Sequence, residues 1–406
     1  MAFDAINSTL SCTVEYSNAL ADCSYFHRGC HYLHVSVVRS NQVAYKDPRT
    51  WTPCLYQSHC RKMPSVAPYH HNSDNESESG SEGHVEQTDG NNPGIPDNEV
   101  EEIGPNDFPR YFDEVDGRLF HSSPTSPYPL PVDAPEQQRL KAFNNLIHQL
   151  IGAHYLGPVP NILARDPNRQ AQVLDLCTGT GTWLMEIASD FPSVLFTGID
   201  IVPIATRYPR PNVNFEVWDI TEEFRWRAAT FDFVHARSIS WSVRDYAAIL
   251  PEVIRVMRPG GLYLSGELDN AVFFHPDTPQ ASNPGLHAPA STLFFQVVNA
   301  ALQSRGIDPS VNQIVTHLQN TGAFSNIEQI IFPIPIGRWH DDPRRQELGT
   351  MLQAILWRFA DSVKPMLRHA GHPQAYIDGL VQNFGDEMDT THGLFGAYHV
   401  VQAIRS

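Results

Sequence analysis

Val173-Leu-Asp-Leu-Cys-Thr-Gly-Thr-Gly-Thr-Trp183 combines an apolar run, a glycine-containing loop and the beginning of a helical pattern. A second apolar run, which begins at Val194, ends in an acidic residue, Asp200. In a parallel α/β sheet, ligands bind in the crevice at the carboxyl ends of the strands. Glycine allows the backbone to approach a ligand where a Cβ atom would collide. We therefore expect an α/β domain that holds a nucleoside-bearing cofactor at this loop.

The rest of the chain continues the alternation of strand and helix patterns. A helix over 244–257 is expected to stop at Arg258-Pro-Gly-Gly261, and a tight turn would then lead into the next strand. Such alternation predicts right-handed crossovers and a mainly parallel sheet. The predicted fold class is α/β, with a Rossmann-like seven-stranded sheet. Its strands are expected at 172–176, 194–200, 213–218, 231–235, 262–267, 326–336 and 394–404.

Composition divides the chain into four parts. Residues 1–62 are an unassigned N-terminal extension, and residues 63–107 are an acidic linker with too few apolar residues to fold, so we expect disorder there. Residues 108–170 form a segment that is expected to cover the cofactor, and an Asp133/Glu136 capping-box pattern marks the start of a helix within it. Residues 171–406 hold the α/β domain. Two amphipathic helices, about 344–369 and 373–386, are predicted within an insertion at about 337–393, between the last two strands, where they would cap a substrate.

Charge and hydropathy exclude several classes of function. The net charge is −17, and residues 63–117 contain 14 acidic residues against one basic residue. The folded part is mildly acidic, so direct binding to nucleic acid is not expected. No apolar run reaches the ~18 residues of a membrane span. The first residues also lack the pattern of a secretory signal, so an intracellular protein of the nucleus or cytoplasm is predicted.

Cysteine usage gives no metal site. Of the six cysteines, five lie within residues 1–62, together with four histidines. Thiolates and imidazoles are the usual zinc ligands, but these cysteines include no Cys-x-x-Cys pair. We therefore predict no metal site and a reduced protein.

Three cofactor classes use a strand, a glycine loop and a helix. A nucleoside-triphosphate loop requires a lysine after the last glycine, and none follows Gly181. A dinucleotide loop requires a third glycine within the helix, and here Thr182, Trp183 and Leu184 follow instead. S-adenosylmethionine sites use the pattern Asp-x-x-x-Gly-x-Gly, which Asp175, Gly179 and Gly181 match. S-adenosylmethionine is therefore the predicted cofactor.

The cofactor contacts follow from the strand ends. The carboxylate of Asp200 is placed to accept hydrogen bonds from both ribose hydroxyls. Asp219, at the end of the third strand, is placed for the adenine amino group, with Ile220 against the ring. The predicted cofactor-binding residues are Asp175, Cys177, Gly179, Gly181, Asp200, Ile201, Asp219 and Ile220.

Seven stretches of the chain match one family of proteins: 117–121, 128–140, 174–183, 198–204, 231–237, 258–263 and 335–340. On these stretches the chain, from about residue 116 to the end, resembles the LaeA-like methyltransferases of fungi. The resemblance implies S-adenosylmethionine binding and, in the best-known members, control of secondary metabolism through a nuclear complex with velvet proteins. Other relatives look like tailoring enzymes that act on small natural products. One departure is Cys177, where the family usually has glycine, and this change implies a lower cofactor affinity.

Candidates for catalysis follow the fourth and fifth strands: His235, Arg237 and Glu267. A base is needed only when the acceptor carries a proton. His235 is either that base or a buried histidine at a strand end, and Arg237 would bind a carboxylate of the acceptor or the cofactor. Three functions remain open: a methyltransferase acting on a small molecule or peptide, a LaeA-like nuclear regulator with velvet-type partners, and a cofactor-binding scaffold with weak catalysis. The absence of a basic nuclear-import cluster favours the first.

Overall fold

The computed structural model describes residues 101–104, 106–309 and 311–406, together with the backbone of one strand at 36–39. These residues belong to the compact unit His34–Ser406. The interpretations of residues 1–62 as an unassigned extension and of 63–107 as a disordered acidic linker fall almost entirely outside the described residues.

Two sheets account for the described strands. Strands β2 and β3 form a separate two-stranded hairpin, and the other nine form one sheet. The strands are β1 (Ser36–Arg39), β2 (Phe112–Val115), β3 (Arg118–His121), β4 (Gln172–Leu176), β5 (Leu195–Asp200), β6 (Val213–Val217), β7 (Phe231–Arg237), β8 (Met257–Leu268), β9 (Phe273–Phe274), β10 (Phe324–Pro335) and β11 (Leu394–Arg405).

The large sheet has the order β1-β10-β11-β8-β7-β4-β5-β6, and β9 pairs with β11. Strands β8, β7, β4, β5 and β6 are parallel, whereas β11, β10 and β1 add antiparallel pairs at one side. The connections change direction at β4, which lies between β5 and β7. An open α/β sheet binds its ligand in the crevice at such a point. The predicted α/β, Rossmann-like fold class is confirmed, and all seven predicted strands are present within a sheet of nine.

Helices cover the sheet and its carboxyl edge. Helix α8 packs on α1 and β10, and α10 packs on α6, so the insertion before β11 lies against the segment that precedes β4. The helices are α1 (Ala134–Ile151), α2 (Val159–Leu163), α3 (Thr182–Asp190), α4 (Tyr246–Val256), α5 (Pro284–His287), α6 (Pro289–Ser304), α7 (Ile314–Asn320), α8 (Pro343–Ser362), α9 (Lys364–His369) and α10 (Gln374–Thr390).

The first strand of the parallel core is buried over four of its five residues, Val173 to Leu176. Both faces of this strand are covered, which explains why its sequence is continuously apolar rather than alternating. Among these four buried residues the single polar exception is Asp175, which is 4% exposed. A buried carboxylate in an apolar strand requires hydrogen-bond partners, and these are supplied at the site described below.

Two sequence-based expectations about the large sheet were wrong. The large sheet has nine strands rather than seven, because β1 and β9 are too short to give a periodic pattern. The Arg258-Pro-Gly-Gly261 stretch is not a turn before a strand but lies within β8, which begins at Met257. There the backbone passes so close to β7 that a Cβ atom on Gly261 would lie 2.9 Å from the carbonyl oxygen of Asp232.

The insertion contains three helices rather than two. Helix α8 ends at Ser362, and α9 begins at Lys364 with Pro365 in its first turn. Proline lacks the N–H that would continue the preceding helix, and its ring collides with the carbonyl one turn earlier. The predicted helix over 344–369 is therefore divided at this point.

Candidate active site

The glycine loop turns sharply between β4 and α3. Cys177, Gly179 and Gly181 all have positive φ angles, of 53°, 56° and 71°. The turn is closed by two backbone hydrogen bonds, from Thr178 N–H to the Ile199 carbonyl at 2.9 Å and from Gly181 N–H to the Thr178 carbonyl at 3.0 Å. The loop is thereby fixed between the carboxyl ends of β4 and β5.

Cys177 has a left-handed backbone conformation that glycine adopts without strain. This explains physically why glycine is usual at this position in the family that the chain resembles. Burial raises the pKa of the Cys177 thiol well above its ordinary value, so the side chain is a neutral thiol at physiological pH. A neutral buried thiol is a poor nucleophile. Cys177 is therefore part of the wall and not a reactive group.

The backbone at Cys177 predicts a specific order of stability among substitutions. A left-handed φ costs a residue with a Cβ atom about 1–2 kcal/mol, and a β-branched residue is especially disfavoured there. We expect Cys177→Val to lower the free energy of unfolding by about 1–2 kcal/mol relative to Cys177→Gly, measured by urea unfolding. Cys177→Ala, which keeps Cβ without a branch, should lie between them. Equal stability of the valine and glycine variants would contradict the strain.

Asp200 ends β5 beside the loop. Its Oδ2 accepts a hydrogen bond from Gly179 N–H at 2.8 Å, and Oδ1 accepts one from Val202 N–H at 3.3 Å. Burial raises the pKa of Asp200 to about 6, although the backbone donors lower it in part. The carboxylate retains lone pairs that face the cavity, so it can accept hydrogen bonds from a diol such as a ribose.

Asp175 has protein partners on both oxygens. Oδ2 accepts a hydrogen bond from the Thr178 hydroxyl at 2.7 Å, and Oδ1 lies 2.7 Å from Nδ1 of His235. The His235 ring stacks on Trp183, with ring centroids 3.6 Å apart. Burial lowers the pKa of His235, and the hydrogen bond to Asp175 opposes that shift. Asp175 therefore connects the loop to a histidine on the neighbouring strand.

Asp219 and Gly181 also have partners within the protein. Asp219 Oδ1 accepts hydrogen bonds from Thr221, and Oδ2 accepts one from the Thr125 hydroxyl at 2.8 Å. The segment before α1 thus reaches over the end of β6. A Cβ atom on Gly181 would lie 2.4 Å from Cζ of Phe215, so this glycine is needed for packing against the Phe215 ring.

Most of the predicted site residues line one cavity. Its remaining wall comes from the segment before β4, including Tyr128, Gln137, Leu140 and Asn144. That segment was expected to cover the cofactor, and it lines the cavity directly. Gly181 does not line this cavity. The predicted residues that do are Asp175, Cys177, Gly179, Asp200, Ile201, Asp219, Ile220, His235 and Arg237.

Glu267 lies in a second cavity. Tyr128, Leu140, Phe143 and Ser238 line both cavities, so the two are adjacent. The far side of the second cavity is apolar and comes from helices α6 and α8. The lining residues on those two helices are Phe295, Ile355, Leu356 and Phe359. A pocket with apolar walls and a few polar groups is typical of small-molecule sites.

The polar groups of the second cavity differ in their partners. Glu267 is 3% exposed and accepts hydrogen bonds from Ile239 N–H at 2.8 Å, from Ser240 N–H at 3.3 Å and from the Ser240 hydroxyl at 2.8 Å. Burial raises the pKa of Glu267 to about 7. Arg139 is paired with Glu136 at 2.6 Å. The amide nitrogen of Asn270 is buried and has no hydrogen-bond partner among the described residues.

Sequence reasoning missed several residues of the site. Asn144 accepts a hydrogen bond from Arg237 at 2.8 Å, and its position on the buried face of α1 gives no functional signal. Leu140 and Phe143 were interpreted only as the apolar stripe of a helix. Asn270 stands at the start of a loop after β8, and no local pattern distinguishes it. These roles depend on contacts between distant parts of the chain.

The fold and this site define a class of protein. Residues 173–261, which span the glycine loop to the start of β8, match a family model described as a methyltransferase domain. The chain therefore carries a methyltransferase domain.

Two similar proteins indicate a narrower group of methyltransferases. The chain is 28% identical over 274 residues to "Secondary metabolism regulator laeA" of Coprinopsis cinerea, covering 66% of this chain and 67% of that protein. It is 29% identical over 239 residues to "Methyltransferase pytC" of Aspergillus terreus, covering 58% of this chain and 69% of that protein. The predicted resemblance to the LaeA-like methyltransferases of fungi is confirmed.

Solved structures that match this chain include phosphoethanolamine N-methyltransferase 2 of Haemonchus contortus in complex with S-adenosyl-L-methionine. The TM-score is 0.37 at 18% identity, with 71% of this chain and 61% of that chain covered. This chain therefore spans less than two thirds of that protein. Within the described part of the chain, none of the helices has both the length and the apolar character that a bilayer crossing requires.

Proposed function

We propose that this protein is an S-adenosylmethionine-dependent methyltransferase whose acceptor is a small molecule bound in the second cavity. The observation that carries the proposal is the adjacency of the two cavities: the first contains the glycine loop and Asp200, and the second contains Glu267 and apolar walls. A cofactor in the first would lie beside an acceptor in the second. Such an arrangement holds two reactants in contact and shields them from water.

The residues of the first cavity fit the cofactor by their chemistry. Asp200 offers carboxylate lone pairs to the ribose hydroxyls, and Ile201 and Ile220 offer apolar surface to a ring. Asp219 already accepts a hydrogen bond from the Thr125 hydroxyl. We therefore propose that Asp219 holds the Thr125 segment over the end of the cavity that would bind adenine, rather than binding the adenine amino group by itself. S-adenosylmethionine, when bound, supplies an electrophilic methyl group.

Glu267 is the residue we propose as the base. An acceptor hydroxyl would lose its proton to Glu267 while its oxygen forms the new bond to carbon, and the carbon–sulfur bond of the cofactor breaks. A carboxylate with a pKa near 7 suits a base that works at neutral pH. The free amide N–H of Asn270 can donate to an acceptor oxygen and hold it in the cavity.

His235 and Arg237 have supporting roles in this proposal. His235 holds the Asp175 carboxylate and is covered by Trp183, so it positions the loop rather than reaching the second cavity. Arg237 lines the first cavity and is oriented by Asn144. A guanidinium there suits the carboxylate of the cofactor's methionine part.

Binding of tritiated S-adenosylmethionine to the full-length protein, measured by equilibrium dialysis, tests the proposal. We expect saturable binding that S-adenosylhomocysteine displaces and that ATP and NAD do not. The loop lacks the lysine that a nucleoside-triphosphate site requires, and it lacks the third glycine that a dinucleotide site requires. Binding of ATP or NAD in its place, or no binding of S-adenosylmethionine, would contradict the cofactor assignment.

A second candidate function is regulation of secondary metabolism through protein partners. The similarity to the secondary metabolism regulator laeA of Coprinopsis cinerea favours it. A scaffold of this kind would need no acceptor cavity and no base. Absence of any methyl transfer by a protein that binds the cofactor would favour this alternative.

A further inference from the structure

Three side chains outside the proposed active site converge on one point. His148 lies in the last turn of α1, His154 lies in the loop that follows, and Glu186 lies in α3. Their ligand atoms all lie within 4.8 Å of one another. Nδ1 of His154 is 3.4 Å from Oε2 of Glu186, and the two imidazole rings have centroids 4.1 Å apart. All three residues are partly buried.

The backbone around this cluster is fixed. Gly152 ends α1 with a left-handed φ of 79°, and its N–H donates to the His148 carbonyl at 2.7 Å. This turn brings His154 back beside His148. The indole N–H of Trp183 donates to the His154 carbonyl at 2.6 Å. The loop that carries His154 is therefore attached to α3, which also carries Glu186.

The carboxylate is oriented as well. Oε2 of Glu186 accepts a hydrogen bond from the side-chain amide of Asn144 at 2.8 Å. A metal-binding carboxylate is commonly held in this way by a neighbour that does not touch the metal. Asn144 also accepts from Arg237, so the cluster lies directly behind the cofactor cavity.

We propose that His148, His154 and Glu186 bind a divalent transition-metal ion of the zinc type. Two imidazoles and one carboxylate are a zinc donor set, and Zn–N and Zn–O distances of about 2.0–2.2 Å place neighbouring ligand atoms about 3.3 Å apart. The His154–Glu186 distance already has this value. An ion pair with Glu186 would use one imidazole, whereas the structure also places a ring nitrogen of His148 within 4.8 Å of the ligand atoms of His154 and Glu186.

An ion could reach the cluster from the protein surface. His148 also lines an open surface cleft, together with Gln149, Gly152, Arg344 and Glu347. Within this cleft, Arg344 donates a hydrogen bond to the Gln149 carbonyl at 2.9 Å. The bound ion would join the end of α1 to α3 and so brace the wall of the cofactor cavity. This proposal does not depend on the methyltransferase activity.

Titration of the chelator-treated full-length protein with Co²⁺ tests the site. We expect wild type to bind one more tight equivalent than His154→Ala, or the same equivalent at least about tenfold more tightly, as loss of an outer partner alone typically costs ~10–100-fold. The spectrum of this equivalent should lack the intense charge-transfer band of cobalt–thiolate bonds, which separates it from any ion held by cysteines.

Two further variants make the result decisive. Glu186→Gln has the same size as the wild-type residue and removes the ligand charge, so it decides the question if His154→Ala fails to fold. His369→Ala removes an exposed histidine outside the cluster and should bind Co²⁺ as wild type does. Zn²⁺ should also raise the Tm of wild type more than that of Glu186→Gln. Equal Co²⁺ stoichiometry and affinity for wild type and Glu186→Gln would overturn the site.

Discussion

Glu267→Gln is expected to lower kcat for methyl transfer to a hydroxyl acceptor by about 10²–10⁴-fold, the usual contribution of a general base. The variant preserves shape, because a glutamine oxygen can still accept from Ile239 and Ser240 N–H while the Ser240 hydroxyl turns to accept. It also removes a buried charge, so its Tm should not fall. The measurement is transfer of label from S-adenosylmethionine into the small-molecule fraction of a fungal extract.

The pH dependence gives an independent check on Glu267. Burial raises its pKa in the folded protein to about 7, so the fraction of carboxylate grows as pH rises through 7. The rate should therefore increase through this range and fall about tenfold for each pH unit below about 6. The fall in rate at low pH should be absent in Glu267→Gln. Glu222→Gln, an exposed control, should keep the wild-type profile. An unchanged rate in Glu267→Gln would exclude a base at this position.

Asp200→Asn is expected to weaken S-adenosylmethionine binding by about 100-fold. Each hydrogen bond to a charged group contributes about 1.5–3 kcal/mol, and two ribose hydroxyls would lose the carboxylate that accepts from them. A loss of roughly 3 kcal/mol corresponds to about two factors of ten. Asparagine can still accept from Gly179 N–H, so the loop should keep its conformation. Isothermal titration calorimetry with S-adenosylhomocysteine measures the effect.

The same carboxylate predicts how binding responds to acid. Burial raises the pKa of Asp200 to about 6, so protonation begins to remove the charged acceptor as pH falls through 6. Wild-type affinity should decline below that pH, and Asp200→Asn should not respond. Asp232→Asn is a matched control, since Asp232 is a buried carboxylate that instead pairs with Arg169 at the start of β7. Equal affinities of wild type and Asp200→Asn would remove the cofactor assignment.

Local pattern was enough to predict the parallel core. The β4 strand, the glycine loop and the start of α3 follow one another directly along the chain. The residue types in this stretch are those that a buried strand, a tight loop and the first turn of a helix each require. The errors occurred where local pattern is weak. Proline and glycines in Arg258-Pro-Gly-Gly261 are typical of a turn, and they lie within a strand only because Met257 before them and Leu262 after them pair with β7 on either side of a register shift.

The cofactor side of the site followed from the same reasoning. Carboxyl ends of adjacent parallel strands meet at one edge, so Asp175, Asp200 and His235 had to lie close together. Their roles were less predictable. Asp175 was expected to contact the cofactor, and the structure shows that both of its oxygens have protein partners. Glu267 was expected only as a candidate for catalysis at the end of the fifth strand, and the cavity that it lines, next to that of His235, could not be predicted.

Sequence alone was therefore sufficient for the order of elements, the glycine loop and the acidic strand ends, because these depend on residues that are neighbours along the chain. Tertiary structure was required for the second cavity, for the partnership of Asp175 with His235 and for the cluster of His148, His154 and Glu186. Apart from the pair His148 and His154, which are six positions apart, those contacts join residues that lie tens of positions apart. Their meeting depends on strand register and on the packing of α1 against α3, which no spacing in the sequence encodes.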